Sequence, residues 1–223
     1  MPNCLPFMLV AEFLYAIELG RCNRDFISLQ NTMELIIAEI HDTSRFRDPQ
    51  GTFADFKTWN GVHWDSAHSK VQKIDWSWSS MEGSINLQCI PEGVECVSVG
   101  HNMLTGSISL HMLPYAMLYL SVRNNALTGS VNLTALPKGL QTLYLCVNQL
   151  SGNVDLTRLS ATMQSLDVSN NIFSGSIDLS KIPPSMFLLD ISANSFEGVV
   201  PVPRTLEKIL HSSGNSKLQV SFL

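Results

Sequence analysis

The chain has 223 residues, 45% of them hydrophobic and only 15% charged, with a formal net charge of −5. That composition excludes intrinsic disorder, which needs low hydrophobicity and high charge. The acidic balance, without any run of like charges, lacks the basic footprint of a nucleic-acid binder, so no nucleic-acid partner is expected.

Residues 1–24 contain the apolar run LPFMLVAEFLYAIEL from Leu5 to Leu19, interrupted by Glu12 and Glu18. A membrane-spanning helix needs about 20 mostly apolar residues, so no transmembrane helix is expected. A secretory leader would carry a basic residue ahead of its apolar run and small residues at a cleavage site. Here the first basic residue is Arg21, and Gly20-Arg21-Cys22 lacks the cleavage pattern. The segment is open to two readings, a leader or a helix that packs on the domain. Residues 25–70 read as an N-terminal cap. Within it Thr32 to Ile40 predicts a helix, because Met33, Ile36, Ile37 and Ile40 fall at i, i+3, i+4 and i+7. Asp25 to Gln30 extends that helix, and Arg45 to Thr58 is a loop over the cap.

Residues 71–205 are periodic. Gly83, Gly106, Gly129, Gly152, Gly175 and Gly198 recur at a strict step of 23 residues. Asn102, Asn125, Asn148, Asn171 and Asn194 keep the same step, and Ser79 stands where a preceding Asn would be. Aliphatic pairs march in phase, from Ile74/Trp76 to Leu189/Ile191, and again after each glycine, from Ile85/Leu87 to Val200/Val202. Prolines recur at Pro91, Pro114, Pro137 and Pro183. Such a period is the signature of a solenoid, in which each coil buries its apolar side only against its neighbours. The first alternation predicts a short strand with one buried face, and stacked copies form a parallel sheet. The recurrent Asn sits where the chain leaves the strand, and its amide is predicted to bond unpaired backbone groups of its own and the next coil as a ladder. The glycine permits a tight bend. The alternation after it predicts a second short strand, which the proline stops. Residues 206–223 start a seventh coil without the Asn and Gly columns and read as a C-terminal cap. The fold class expected is an α/β solenoid, mostly strand and loop, with a helical N-terminal cap.

Leu166-Asp167-Val168-Ser169-Asn170-Asn171-Ile172-Phe173-Ser174-Gly175-Ser176-Ile177 resembles the leucine-rich repeat of the plant-receptor type, with its L-x-x-N-x-L-x-G-x-I hallmark. The resemblance covers about residues 71–210 and implies a right-handed coil. It also implies a proline directly after the Ile. Asn86, Ser109, Asn132, Asp155 and Asp178 hold that place instead, and only Val200-Pro201 has the usual form. The displaced proline resembles repeats of protist proteins. Trp59-Asn60-Gly61-Val62-His63-Trp64-Asp65 resembles the family's N-terminal cap, in which a cysteine precedes the Asp and pairs upstream. Trp64 takes that cysteine's place here, so packing is expected to replace the cross-link.

No nucleotide-binding, metalloprotease or hydrolase motif is present, so no catalytic residue, cofactor or resident metal is assigned. His63, Asp65 and His68 lack a fourth ligand and read as a polar loop. Asp155/Asp178 and Asp167/Asp190 stand one coil apart as repeat residues. Cys89 and Cys96 lie on opposite sides of the coil, too far apart to bridge, so the cysteines are read as thiols, Cys89 partly buried and Cys146 pointing outward. Free thiols lean toward a reducing, cytoplasmic setting over a secreted one. One glycosylation tripeptide, Asn132-Leu133-Thr134, is present.

Alternate strand positions should face solvent on a concave sheet. Coils five and six keep the bland Asp-x-Ser pattern there, whereas the first four carry Trp78, His101, Tyr119, Arg123, Tyr144 and Cys146. Tyr, Trp and Arg are the residues enriched at interface hot spots. The expected ligand face is therefore Trp78, His101, Tyr119, Arg123 and Tyr144, taking a protein or peptide in non-catalytic recognition. The alternative is a secreted or cell-surface receptor-like protein, distinguished by a cleaved N-terminus and a glycan on Asn132.

Overall fold

The computed structural model describes residues 28–223; the readings of segment 1–24 and of Asp25 lie outside them. Helix α1 (Leu29–Ile36) opens the described chain, with Ser28 Oγ accepting from the Asn31 N–H at 3.1 Å as its N-cap. It begins three residues before the predicted start and stops at Ile36, after which a turn carries the apolar stripe onward. Met33, Ile36, Ile37 and Ile40 are all buried.

Fifteen strands follow: β1 (Val62–Trp64), β2 (Val71–Asp75), β3 (Glu82–Gly83), β4 (Cys96–Ser98), β5 (Met103–Leu104), β6 (Tyr119–Ser121), β7 (Thr128–Ser130), β8 (Thr142–Tyr144), β9 (Gln149–Gly152), β10 (Ser165–Asp167), β11 (Ile172–Gly175), β12 (Leu188–Asp190), β13 (Ser195–Val202), β14 (Leu210–His211) and β15 (Lys217–Phe222). The main sheet has eight strands in the order β1-β2-β4-β6-β8-β10-β12-β14. All its pairings are parallel except β1 with β2. We number the coils one to seven from β2, β4, β6, β8, β10, β12 and β14. The second side of the stack holds β3-β5 and the five-stranded sheet β15-β13-β11-β9-β7. This is a parallel-strand solenoid, as the 23-residue period requires.

The second strand is not where the alternation after each glycine placed it. It lies one step earlier, running from the ladder asparagine toward the glycine. The pairs that follow are buried as expected but, Val200/Val202 of coil six apart, do not join a ladder of strands. The reason is the residue standing in place of proline. Asn86, Asn132, Asp155 and Asp178 each accept, through Oδ1, the N–H two residues on, at 3.1, 2.9, 2.8 and 2.8 Å. That Asx turn takes the backbone donor and curls the chain out of extended form. Coil six, with Pro201, has no such turn, and there β13 runs on to Val202. The recurrent prolines then open a second turn: the carbonyls of Pro91, Pro114, Pro137 and Pro183 accept from Val94, Met117, Leu140 and Met186, each at 3.0 Å.

The N-terminal end of the core is closed by aromatic rings. Phe46 packs on Trp59 at 4.7 Å and on Trp76 at 5.2 Å between centroids, and Phe56 packs on Trp64 at 5.5 Å. The buried indole donors are satisfied, Trp59 by the Ala54 carbonyl and Trp76 by that of Asn60. The seventh coil does carry the ladder asparagine that the strict period hid, while Gln219 stands where the glycine column would continue. Gly214, φ +77°, takes the left-handed corner that Ala193 takes in coil six. Asn215 donates to the Ile191 and Ser212 carbonyls at 2.9 and 3.0 Å and accepts from the Phe196 N–H. It lies 21 residues after Asn194, so a two-residue deletion moved it out of phase.

Candidate recognition face

The face is positioned by the asparagine ladder. Asn148 is typical: its Nδ2 donates to Val122 O in the preceding coil at 3.1 Å and to Leu145 O in its own at 3.0 Å, while its Oδ1 accepts from Leu127 N at 3.1 Å. Asn102, Asn125, Asn171 and Asn194 repeat the pattern. At the first coil, Ser79 donates its own N–H to Asn102 Oδ1 at 3.0 Å. One residue before each ladder Asn the backbone is left-handed: Trp78, His101, Asn124, Val147, Asn170 and Ala193 all have φ between +49° and +56°. That column is therefore the corner of the coil, not a continuation of the strand.

The expected ligand residues fall into two groups. Trp78 and His101 occupy the corner, their rings stacked at 3.8 Å and 7°. Trp78 is 74% exposed. His101 Nδ1 lies 2.7 Å from Asn124 Nδ2. Tyr119 and Tyr144 sit on the sheet proper, on β6 and β8, with rings edge-to-face at 5.9 Å and 88°. The Tyr144 hydroxyl accepts from Ser165 Oγ at 3.2 Å. Arg123 is exposed beside them. The amide N–H of His101 donates to the Arg123 carbonyl at 2.9 Å, so corner and sheet groups are neighbours.

Two expectations about the cysteines are corrected. Cys146 points to the outer side of the sheet but is only 8% exposed. Burial, with the Asp167 carboxylate beside it, pushes its thiol up to about 12, which leaves it protonated and unreactive. Cys89, read as partly buried, is fully buried. The causes differ: Cys146 is pressed between neighbouring coils about 4.8 Å apart, whereas Cys89 lies in the 3-10 turn Leu87–Cys89, which packs against helix α1. Cys89, Cys96 and Cys146 form no disulfide.

Sequence reasoning missed a notch in the face. Gly100 interrupts the serine column of coil two. A Cβ there would stand 3.1 Å from Arg123 Cγ and 3.6 Å from Ser121 Oγ. The Arg123 stem fills the notch and covers Ser121, which is 1% exposed and whose hydroxyl has no hydrogen-bond partner. The visible signal was Gly100 standing beside Arg123 in a column that is serine in coils one, five and six.

Elsewhere, Asp65 accepts from the Ser69 and Lys70 backbone, which accounts for the His63/Asp65/His68 loop. Among the described residues no cluster of His, Cys, Asp and Glu is placed to hold a metal, and no helix is long and apolar enough to cross a membrane. An open groove of 510 Å³ on the flank has Ile108, Leu110, Val131 and Leu133 as its floor and Asn132 and Asp155 on its rim.

No family model and no curated protein matches the chain. Solved structures do. A structure of Pollen Receptor Kinase 3 superposes with TM-score 0.65 and 21% identity, over 85% of this chain and 95% of that one. The BIR3–SERK2 complex of Arabidopsis thaliana matches with TM-score 0.54 and 22% identity, over 75% and 94%. The BIR2 ectodomain of Arabidopsis thaliana matches with TM-score 0.50 and 18% identity, over 84% and 92%. Period, asparagine ladder, left-handed corners and these superpositions agree that the chain has the leucine-rich repeat fold in the form seen in plant receptor ectodomains.

Proposed function

We propose that the chain is a non-catalytic recognition module that binds a protein or peptide on the open face of its eight-stranded sheet, centred on Tyr119, Arg123 and Tyr144. The observation that carries this is the group itself. Two aromatic rings in mutual contact and an exposed arginine stand on coils three and four, whose strands are paired on both sides. Such a surface loses little entropy on binding, and Tyr and Arg dominate interface energetics. The seven parallel strands span roughly 30 Å, enough for a standard interface. The similar BIR3–SERK2 structure is itself a complex of two proteins, which supports the same use of the fold by analogy.

The test is a pull-down with the full chain followed by substitution. Replacing Tyr119, Arg123 and Tyr144 together by Ala is expected to weaken the captured partner at least 30-fold, the equivalent of about 2 kcal/mol. Thr205→Ala with Lys208→Ala, exposed and off this face, should bind as the unsubstituted chain does. Unchanged affinity in the triple variant would move recognition elsewhere on the molecule.

A further inference from the structure

The charges on the face carry the reading further. Lys73 is neutralised by Asp75, Nζ to Oδ2 at 3.1 Å. Arg123 has no such partner: among the described residues its guanidinium makes no ion pair and no hydrogen bond. Toward the C-terminal half, Asp167 and Asp190 stand opposite each other in neighbouring strands, and no Lys or Arg among the described residues pairs with either. Like charges in directly opposed positions are destabilising until a cation relieves them. Each of these aspartates spends one oxygen on the backbone N–H two residues on, which holds the carboxylate upright on the face. The unpartnered Ser121 hydroxyl beneath the Arg123 stem is a second, independent sign of an incomplete site. A buried hydroxyl without a partner is costly.

We propose, resting on the reading of this face as the recognition surface, that the ligand is an extended peptide segment with an acidic residue over coil three and a basic residue three or four positions away. The spacing follows from geometry. Arg123 lies in coil three, and the aspartate pair spans coils five and six. At about 4.8 Å per coil the separation is roughly 10–14 Å, and extended chain advances about 3.3 Å per residue. The ligand's carboxylate accepts from the Arg123 guanidinium as a bidentate pair. That contact draws the arginine stem off Gly100 and uncovers Ser121, whose hydroxyl then donates to the same carboxylate. The ligand's ammonium or guanidinium sits between Asp167 and Asp190.

Short synthetic peptides of one composition, differing only in the order and spacing of a single Asp and a single Lys, are titrated into the full chain by fluorescence anisotropy. The expected optimum is a separation of three or four, roughly tenfold above the peptide with Asn and Gln in place of the charges. Arg123→Gln should abolish that advantage, and Asp167→Asn with Asp190→Asn should abolish the preference for Lys. Ser121→Ala should weaken the optimal peptide a few-fold while its melting temperature stays equal or rises. A flat response to spacing, an Arg123→Gln chain that keeps the charge preference, or no saturable binding by any peptide overturns the proposal. If all peptides bind alike and Tyr119→Ala still weakens them, the charge pattern is wrong and the recognition face stands. A partner pull-down unaffected by the triple substitution removes the face as well.

Discussion

Val147 and Asn148 are neighbours with opposite consequences. Val147 holds φ +56° at a corner where Asn124 and Asn170 stand in adjacent coils. A left-handed backbone suits Asn and Gly and is strained for a β-branched residue. Val147 is half exposed and makes no compensating core contact. Val147→Asn is therefore expected to raise stability by about 1 kcal/mol in chemical denaturation. Asn148→Leu acts the other way. It removes two donated bonds and one accepted bond to backbone groups that water cannot reach, each costing about 1–3 kcal/mol when left unpaired. If Asn148→Leu melts with the unsubstituted chain, the ladder has no energetic meaning. The phase of Asn148 was legible from the period alone. The strain at Val147 was not, because the corner column mixes Trp, His, Asn, Val and Ala, and strand alternation runs through it without a visible break.

At the level of the strand and turn, the glycine column shows which part of a rule is general. All six glycines have positive φ, from +78° to +102°. A clash is local: a Cβ on Gly83 would meet the Glu39 carbonyl at 2.2 Å, whereas one on Gly198 would meet nothing within 4 Å. The requirement common to all is therefore the dihedral angle. Gly129→Val, at φ +81° and 3.2 Å from Ser107 Cβ, should lose about 2 kcal/mol. Ser130→Val, one residue on and exposed, should change stability by less than about 0.5 kcal/mol. Equal losses at both positions would mean the strand tolerates no change, glycine or otherwise. The misplaced second strand has the same lesson. Apolar alternation shows which side chains are buried, but the Asx turns at Asn132 and Asp155 decide whether the backbone is extended.

Across the molecule, the aliphatic columns and the ladder could be read from a constant period, because equal phase means adjacent strands, and Tyr119 with Tyr144 followed as diagonal neighbours two places apart on the same face. Ser121 and Cys146 could not. Their burial depends on what stands in the coils on either side, such as the Arg123 stem folding over Gly100. The two-residue deletion before Asn215 likewise escaped a fixed period, although its hydrogen bonds restore the pattern.

The ladder amides reach only one coil back, across separations of 24 to 26 residues. Relative to the chain length this corresponds to a contact order of about 0.1, in the range of fast-folding helical bundles despite the abundance of strand. Folding of such a stack propagates from coil to coil as in a one-dimensional chain of spins. The rings around Phe46 close one end of that stack. A defect in the middle, at Asn148 or Asn171, splits the array into two short arrays and stops each from supporting the other. The same lesion near either end merely shortens the array.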